Sequence, residues 1–272
     1  MHTRLQPDQT VRVFTGAAMP ALADAVVPLA WTDNGETRVT INRRVNPGDF
    51  VRKVGDDVTP GDIAVRAGTI VGPAQVGLLA AVGRDKVLVH PRPRVSIISV
   101  GNELVDLDRI PGQGQVYDVA SYALTAAALE AGAEVHRVGI VSTEPRAFRE
   151  LVETQLLRSE IVVIAGAVGG IASEHVRNVL ADLGEVEVER VAMHPGSVQG
   201  FGLLGADQIP TFLVPSNAVS ALLVFELMVR PMIRIALGKR HPMRRIIRAR
   251  TIIPVTSMKG RAGYLCAQLT VS

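Results

Sequence analysis

A short apolar strand that ends in glycine and two polar residues is the feature that most restricts the fold of this chain. The run over 94–100 is rich in β-branched residues, and Gly101, Asn102 and Glu103 follow it directly. Apolar runs of this kind are typical of strands that are buried on both faces of a parallel sheet. Open α/β sheets bind ligands at the carboxyl ends of such strands, where the strand order reverses. The stretch therefore predicts a ligand site that begins at Gly101.

This strand opens a regular alternation of strands and helices. Short apolar runs predict strands at 95–100, 134–140, 161–165, 185–191 and 211–214. Between and after them, longer segments predict helices at 120–131, 145–158, 174–183 and 218–237. Alternation of this type indicates βαβ units. We therefore predict an α/β domain over 93–238 that has a mostly parallel sheet with helices on both faces.

The flanking segments have a different pattern. Residues 1–92 contain short alternating runs between turns and predict a β-rich region, with strands at 11–15, 25–29 and 37–42 and one helix at 74–82. Two Pro-Gly-Asp sequences, 47–49 and 60–62, predict tight turns, because proline presets φ and glycine accepts positive φ. Residues 239–272 begin with a basic run and continue as a short β tail, with strands expected at 251–255 and 264–271. A tail of this length is too short for a stable domain, so we expect a docked or truncated module.

Composition and charge exclude several classes of protein. Aromatic residues make up 4% of the chain and do not interleave with the basic run over 239–250, which argues against nucleic-acid binding. Cys266 is the single cysteine, so no intramolecular disulfide forms and a reducing compartment is expected. The longest apolar run, 221–229, is too short to cross a bilayer. The N-terminus lacks the apolar core of a signal peptide, and we expect a cytoplasmic protein without membrane contact.

A series of short motifs, in order along the chain, resembles a known family. The motifs lie at 13–17, 23–27, 54–58, 61–62, 68–72, 77–80, 93–95, 101–105, 115–118, 192–196, 214–221 and 229–231. No single motif is specific, but their order over nearly the whole chain resembles the molybdopterin molybdenumtransferases, which include the gephyrin E domain. The resemblance implies an α/β molybdopterin-binding domain flanked by β-rich domains, and a homodimer whose site lies between subunits.

The resemblance also implies a reaction. Enzymes of this family bind adenylylated molybdopterin, use a divalent cation such as Mg²⁺ to hydrolyse the adenylate with release of AMP, and insert molybdate into the dithiolene. Such chemistry needs carboxylates for a hard cation. It also needs backbone amides and basic side chains for the anionic ligands.

The motif positions identify candidates for each role. The candidate catalytic residues are Glu103, Asp57 and Glu174, with Glu103 and Glu174 as the metal ligands. The candidate ligand-binding residues are Thr15, Gly101, Asn102, Gly166, Gly169, Gly170, Arg190, His194, Ser197, Pro215 and Asn217. By contrast, Asp118 is expected to have a structural role as the N-cap of a helix.

Several of these positions differ from the family pattern. Asn102 stands where the family has an aspartate, and Thr143 stands where many members of the family also have an aspartate. The glycine-rich loop has lost a serine at Gly169 and an acid at Ala172, while His194 and Ser197 replace two lysines. The family's aspartate-bearing N-terminal motif is also missing. These differences leave two alternatives to an active transferase: a catalytically degenerate paralogue that binds molybdopterin or serves as a scaffold, and a domain that binds another anionic nucleotide.

Overall fold

The chain divides into two units, Met1–Val87 and Leu88–Ser272, in a computed structural model that describes residues 4–170 and 173–270. The first unit contains helix α1, Pro73–Ala81, and a short 3₁₀ helix, Leu29–Trp31. The expected domain boundaries after residues 92 and 238 remain predictions.

The second unit is built from strands that alternate with helices. Its strands are β1 (Arg94–Val100), β2 (Leu104–Val105), β3 (Val116–Tyr117), β4 (Glu134–Val141), β5 (Ile161–Val168), β6 (Gly184–Arg190), β7 (Met193–His194), β8 (Val198–Leu204), β9 (Ile209–Pro215) and β10 (Ala262–Gly263). Its helices are α2 (Val119–Ala131), α3 (Pro145–Leu156), α4 (Ser173–Ala181), α5 (Ala218–Val224) and α6 (Arg230–Ala236).

Six of these strands form one mixed sheet in the order β4-β1-β5-β9-β8-β6. Strand β1 pairs in parallel with β4 and β5, and β5 pairs in parallel with β9. Strand β8 is antiparallel to both of its neighbours, β9 and β6. The prediction of a mostly parallel sheet is confirmed, and β8 is the strand that the sequence did not reveal. Its glycines, Gly200 and Gly202, weaken the strand signal but permit close packing, since a Cβ on Gly202 would lie 2.6 Å from the Glu185 carbonyl oxygen.

Helices cover both faces of the sheet, as predicted. Along β1, alternate side chains point to opposite faces, so Val95 and Ile97 contact one core cluster while Ile98 and Val100 contact the other. The first cluster lies under α2, α5 and α6, and the second lies under α3 and α4. Burial of each such side chain contributes roughly 1.5–3 kcal/mol, so the two clusters fix the register of the central strands.

The strand order reverses between β1 and β5. From β1 the chain crosses through α2 to β4 on one side, and then crosses through α3 to β5 on the other side. The backbones are very close at this point. Gly166 has a φ of +86°, and a Cβ placed on it would lie 2.1 Å from the Val100 carbonyl oxygen. Only glycine therefore lets the ends of β1 and β5 meet as they do.

Local signals set the helix ends. Asp118 caps α2 by accepting a hydrogen bond from the Ser121 amide at 3.0 Å, as predicted. Gly132 ends the same helix with a φ of +108°. Glu144 caps α3, and its carboxylate accepts hydrogen bonds from the Arg146 and Ala147 amides.

The predicted strands of the first unit were wrong. In its described residues the β pairing consists of two isolated bridges, Arg4 with Ala21 and Thr32 with Ile41. Frequent turns separate the extended segments, so neighbouring segments do not stay side by side long enough to form a ladder. The two Pro-Gly-Asp turns are confirmed, with positive φ at Gly48 and Gly61.

Two C-terminal predictions also need correction. The single helix expected over 218–237 is divided by a π-helical turn, Phe225–Val229. Pro231 lacks the amide that would continue regular bonding, which accounts for the irregularity just before it. In the tail, strands at 251–255 and 264–270 do not form, and residue 271 lies outside the described range. The tail instead forms a short parallel pair, in which Ala262–Gly263 (β10) runs beside Met193–His194 (β7).

No helix within residues 4–170 and 173–270 has the length and apolar character needed to cross a membrane.

The close approach at Gly166 leads to a stability prediction. Gly166→Ala should lower the free energy of unfolding by about 3 kcal/mol, because the new methyl group collides with Val100. Gly169→Ala is the matched control: its φ is +76°, but nothing lies within 4 Å of an added Cβ. That variant should lose only about 1 kcal/mol from backbone strain. Urea unfolding measures both values, and equal losses would show that the approach to Val100 is unimportant.

Candidate functional site

The candidate residues of the second unit lie along one edge of the sheet. Strands β4, β1, β5, β9 and β6 end at this edge, and the antiparallel β8 begins there. In order across the sheet, the edge carries Thr143, then Gly101, Asn102 and Glu103, then Gly166, Gly169 and Gly170, then Pro215 and Asn217, then Ser197, and finally Arg190. Five strand spacings of about 4.8 Å give the row a length of about 24 Å.

The Glu103 carboxylate lies over the end of β1. A Cβ on Gly101 would be 2.8 Å from each of its carboxylate oxygens, so glycine leaves the space that the carboxylate occupies. The backbone of Glu103 is also fixed, because its carbonyl accepts a hydrogen bond from the Val116 amide at 2.9 Å. The side chain is exposed, and it therefore presents an acidic group to solvent at the reversal point.

A neutral hydrogen bond joins the ends of β1 and β4. The Thr143 hydroxyl donates to Oδ1 of Asn102 at 3.3 Å. The resemblance led us to expect a carboxylate at both positions, so the two expected differences belong to one contact. The pair leaves two oxygen atoms beside Glu103 but contributes no negative charge to a cation.

The glycine-rich loop follows β5 and leads into α4. The Gly169 backbone has a positive φ and open space around it, while the Gly170 carbonyl accepts a hydrogen bond from the Ser173 hydroxyl at 2.5 Å. Glu174 lies exposed in the first turn of α4. The acidic position replaced by Ala172 lies outside the described residues.

A cavity of about 360 Å³ lies beside this loop. It is lined by Ala167, Val168, Gly169, Ser173, Glu174, Arg177, Val188 and Val198. The cavity thus joins two of the candidate residues, Gly169 and Glu174, with the strands that lead to Arg190 and from Ser197. Sequence reasoning missed Arg177, although its position one turn after Glu174 on a helix that follows a glycine-rich loop was a usable signal.

The segment from Arg190 to Ser197 folds back toward the start of α5. The Val191 amide donates to the Ser197 carbonyl at 2.7 Å. Gly196 has a positive φ, and an added Cβ would be 3.3 Å from the Ser220 carbonyl oxygen. The side chains of Arg190 and His194 are exposed, and no ion pair involves Arg190 within the described part of the chain.

The tail contacts this segment through its backbone. The His194 carbonyl accepts a hydrogen bond from the Tyr264 amide at 2.9 Å, and the Ala192 carbonyl accepts one from the Ala262 amide. This pairing was not foreseen, because it joins residues that are far apart in sequence. It restricts the backbone of His194 while it leaves the imidazole exposed.

Pro215 and Asn217 complete the edge at the end of β9. Pro215 pairs with Val168 across a register shift, which joins β9 to the glycine-rich loop. Oδ1 of Asn217 accepts a hydrogen bond from the Ser220 amide at 3.1 Å and caps α5. Asn217 therefore has a structural contact in addition to its candidate role in binding.

The remaining two candidates belong to the first unit. Thr15 lies in an exposed turn that is closed by a hydrogen bond from the Ala17 amide to the Phe14 carbonyl. Asp57 forms an ion pair with Arg52, and both side chains are exposed.

Arg137 of β4 makes a set of polar contacts that the sequence analysis did not identify. One of its Nη atoms donates to Oδ2 of Asp106 at 2.9 Å and to the Tyr122 hydroxyl at 3.0 Å. The Tyr122 hydroxyl donates in turn to Asp106 at 2.6 Å. The hydrogen bond from Tyr122, followed by that from Arg137, lowers the pKa of Asp106 to about 2.

The same arginine reaches a buried carboxylate. Its second Nη atom donates to the Ser121 hydroxyl at 3.1 Å and lies 3.8 Å from Oδ2 of Asp118, whose side chain is 1% exposed. The Ser99 hydroxyl of β1 also donates to Asp118, at 2.9 Å. A charged residue at a core-facing strand position was the available sequence signal.

The described residues contain no group of three or more histidine, cysteine, aspartate or glutamate side chains arranged to hold a metal ion. Glu103 and Glu174, the two candidate metal ligands, follow neighbouring strands without a recorded contact. A fully protein-bound cation is therefore not indicated within this part of the chain.

Family models match both units. Residues 1–83 match the MoeA N-terminal region (domain I and II), and residues 96–235 match a probable molybdopterin binding domain. The fold and the polar edge thus define a protein with a molybdopterin-binding α/β domain. Taken with the relatives described next, the match shows that the chain belongs to the molybdopterin molybdenumtransferase family.

Two relatives come from Mycobacterium tuberculosis. Molybdopterin molybdenumtransferase 1 is 67% identical over 98% of this chain and 63% of its own length. Molybdopterin molybdenumtransferase 2 is 36% identical over 96% of this chain and 65% of its own length. A crystal structure of a molybdopterin biosynthesis MoeA protein from Pyrococcus horikoshii superposes with a TM-score of 0.66 at 33% identity, and covers 84% of this chain and 56% of that protein. The chain thus spans somewhat less than two thirds of the length of these relatives.

The neutral contact at the end of β1 leads to a metal-binding prediction. In Asn102→Asp/Thr143→Asp, two carboxylates replace the Thr143–Asn102 hydrogen bond beside Glu103. Their repulsion should lower the melting temperature without a divalent cation, and Mg²⁺ should restore it. We expect Mg²⁺ to bind about tenfold more tightly than to the wild type, a difference of about 1.4 kcal/mol.

Calorimetric titration with Mg²⁺ measures the affinity. The matched control is Asn178→Asp/Thr154→Asp, which adds the same two negative charges on α4 and α3, away from the end of β1. If this control gains as much affinity as the edge variant, the end of β1 is not the cation site.

The contacts of Asp106 lead to a prediction about pH. Because the folded-state pKa of about 2 is below the ordinary 3.8, the ionised form stabilises the fold. This contribution is complete above about pH 5 and is lost as pH falls through 3.8 toward 2. Asp106→Asn should therefore melt below the wild type at pH 7, and the difference should shrink as pH is lowered to 3. Thermal melts from pH 3 to 7 test this, with the exposed Asp108→Asn as the control; a gap that is constant with pH would contradict it.

Proposed function

We propose that this chain acts in molybdenum-cofactor biosynthesis as a molybdopterin molybdenumtransferase. In this role it binds adenylylated molybdopterin, hydrolyses the adenylate with release of AMP, and inserts molybdate into the dithiolene. The observation that carries the proposal is the order of groups along the sheet edge. An acidic group at Glu103, a glycine-rich loop and a basic segment at Arg190 follow one another over four strand spacings, about 19 Å.

The acidic part of the edge is assigned to Mg²⁺. Proteins hold Mg²⁺ with one or two carboxylates, while waters and substrate phosphates complete the coordination. Glu103, with the oxygen of Asn102 beside it and Glu174 on the next loop, fits that donor chemistry once the substrate supplies phosphate oxygens. When bound, the cation would neutralise charge on the phosphoanhydride that is cleaved.

The middle and basic parts are assigned to the anionic groups. Backbone amides of the loop over 166–170 bind phosphate oxygens, as glycine-rich loops before helices do. Arg190 and His194, together with the Ser197 hydroxyl, meet the molybdate or phosphate. Arg177, which lines the adjacent cavity, supplies a cation that partly offsets the lysines replaced at His194 and Ser197. Gly101, Pro215 and Asn217 shape the floor between these groups.

Hydrolysis of the adenylate also needs an acceptor for the proton of the attacking water. We assign this role to Asp57, with Thr15 as a hydrogen-bonding partner of the substrate. Both belong to the first unit, and we propose that they come to the edge from the other subunit of a homodimer. The reaction takes place in the cytoplasm, which fits a single free cysteine, Cys266.

A single experiment tests the proposal. The purified chain is incubated with adenylylated molybdopterin, molybdate and Mg²⁺, and both AMP release and ligand binding are measured. Release of AMP that requires Mg²⁺ and is much slower, though still measurable, in Glu103→Gln supports the transferase. Binding without release would indicate a degenerate paralogue or scaffold, and absence of binding would leave a domain for another anionic nucleotide.

The missing lysines lead to a prediction about affinity. His194→Lys/Ser197→Lys should bind adenylylated molybdopterin about tenfold more tightly at low salt, because two cations return to the basic part of the edge. Thr154→Lys/Ala181→Lys adds the same charge on α3 and α4 and should change affinity less than twofold. Fluorescence titration measures the dissociation constants. Equal gains in both variants would mean that net charge, rather than the 194–197 segment, governs binding.

A further inference from the structure

The segment that carries Glu103 is held at both of its ends. It runs from the end of β1 to the start of α2 and contains the two-residue pair β2–β3. Within that pair, the Glu103 carbonyl accepts from the Val116 amide at 2.9 Å, and the Val105 carbonyl accepts from the Asp118 amide at 3.0 Å. A two-residue ladder is marginal by itself, so the position of Glu103 depends on what fastens the segment around it.

One side chain reaches the residues that follow both strands of this parallel pair. Arg137 forms an ion pair with Asp106, directly after β2, and lies beside Asp118, directly after β3. It also stacks on the Tyr122 ring, with the guanidinium carbon 4.0 Å from the ring centroid. The contacts join strand β4, the β2–β3 pair and helix α2 through a single guanidinium.

The backbone of β4 is adapted to this contact. The register between β1 and β4 shifts between Ile97 and Ile98, which places a bulge in β4 just after Arg137. Gly139, in the bulge, has a φ of +89°, and an added Cβ would lie 3.9 Å from an Nη atom of Arg137. A bulge of this kind redirects a side chain, and here it accompanies an arginine whose side chain is only 24% exposed.

We propose that Arg137 is a positioning residue for Glu103. By bridging Asp106 and Asp118, it holds the β2–β3 pair against α2 and thereby keeps the Glu103 carboxylate over the end of β1. Arg137 itself takes no part in chemistry and acts through the segment that it fastens. The role of Glu103 rests on the proposed function, whereas the fastening does not.

Hydrogen exchange tests the fastening without any substrate. In Arg137→Met, the amides of Val116 and Asp118 should exchange at least about tenfold faster, because the pair opens locally. Arg149→Met is the matched control, since Arg149 also binds two carboxylates, Glu153 and Asp182, but on α3 at the opposite face. It should leave both amides unchanged. Unchanged exchange in Arg137→Met would overturn the inference.

A double-mutant cycle tests the link to Glu103. We compare AMP release by the wild type, Glu103→Gln, Arg137→Met and the double variant. Arg137→Met alone should lower kcat on the order of tenfold and change KM less than threefold, because it displaces a group used in the reaction. In the Glu103→Gln background the same change should cost less than twofold. Equal costs in both backgrounds would mean a general structural role and would contradict the inference.

Milder variants guard against loss of the fold. Tyr122→Phe removes only the hydroxyl that donates to Asp106, and Arg137→Lys keeps the charge but not the forked contacts. Both variants should give exchange rates and kcat values between those of the wild type and Arg137→Met. Circular dichroism is used to check that they are folded. If the wild type releases no AMP, the proposed function fails, and exchange at Val116 and Asp118 then decides the inference alone.

Discussion

The close approach of β1 and β5 is the constraint on which the rest of the second unit depends. Gly166 lies so near the Val100 carbonyl that no other residue fits without a shift of the backbone. This contact brings the end of one strand, with its acidic residue, beside the glycine-rich loop of the next. Because the strand order reverses at the same place, helices depart to opposite sides and leave the edge open to a ligand.

The edge distributes its chemistry unevenly. Acidic character is concentrated in Glu103, since the neighbouring Asn102 and Thr143 form a neutral hydrogen bond. The basic side chains near the edge are Arg190 and, in the adjacent cavity, Arg177. A polyanionic ligand can be held by such an arrangement if backbone amides contribute much of the binding.

Much of the second unit was predictable because its signals are local. Buried strands such as β1 and β5 are continuous apolar runs, and Asp118 and Gly132 mark helix ends by their own chemistry. Strand β8 was not predictable, because Gly200 and Gly202 interrupt the apolar pattern by which a strand is recognised. These glycines are needed only for the close packing of β8 against neighbouring strands, which the sequence does not show. The bridges of the first unit were missed for a related reason: alternation identifies an extended segment but says nothing of its partner.

The sequence by itself determined the α/β class, the family and the set of residues along the candidate edge, because these follow from short-range patterns and motif order. Only the tertiary structure decided which of those residues meet. It joined Asn102 to Thr143, placed Arg177 in the cavity beside Glu174, and brought the tail to His194. It also placed Arg137 between Asp106 and Asp118. These contacts depend on the order of the strands in the sheet, and the contact of Arg137 also involves the bulge in β4. Neither feature can be predicted from the local sequence pattern.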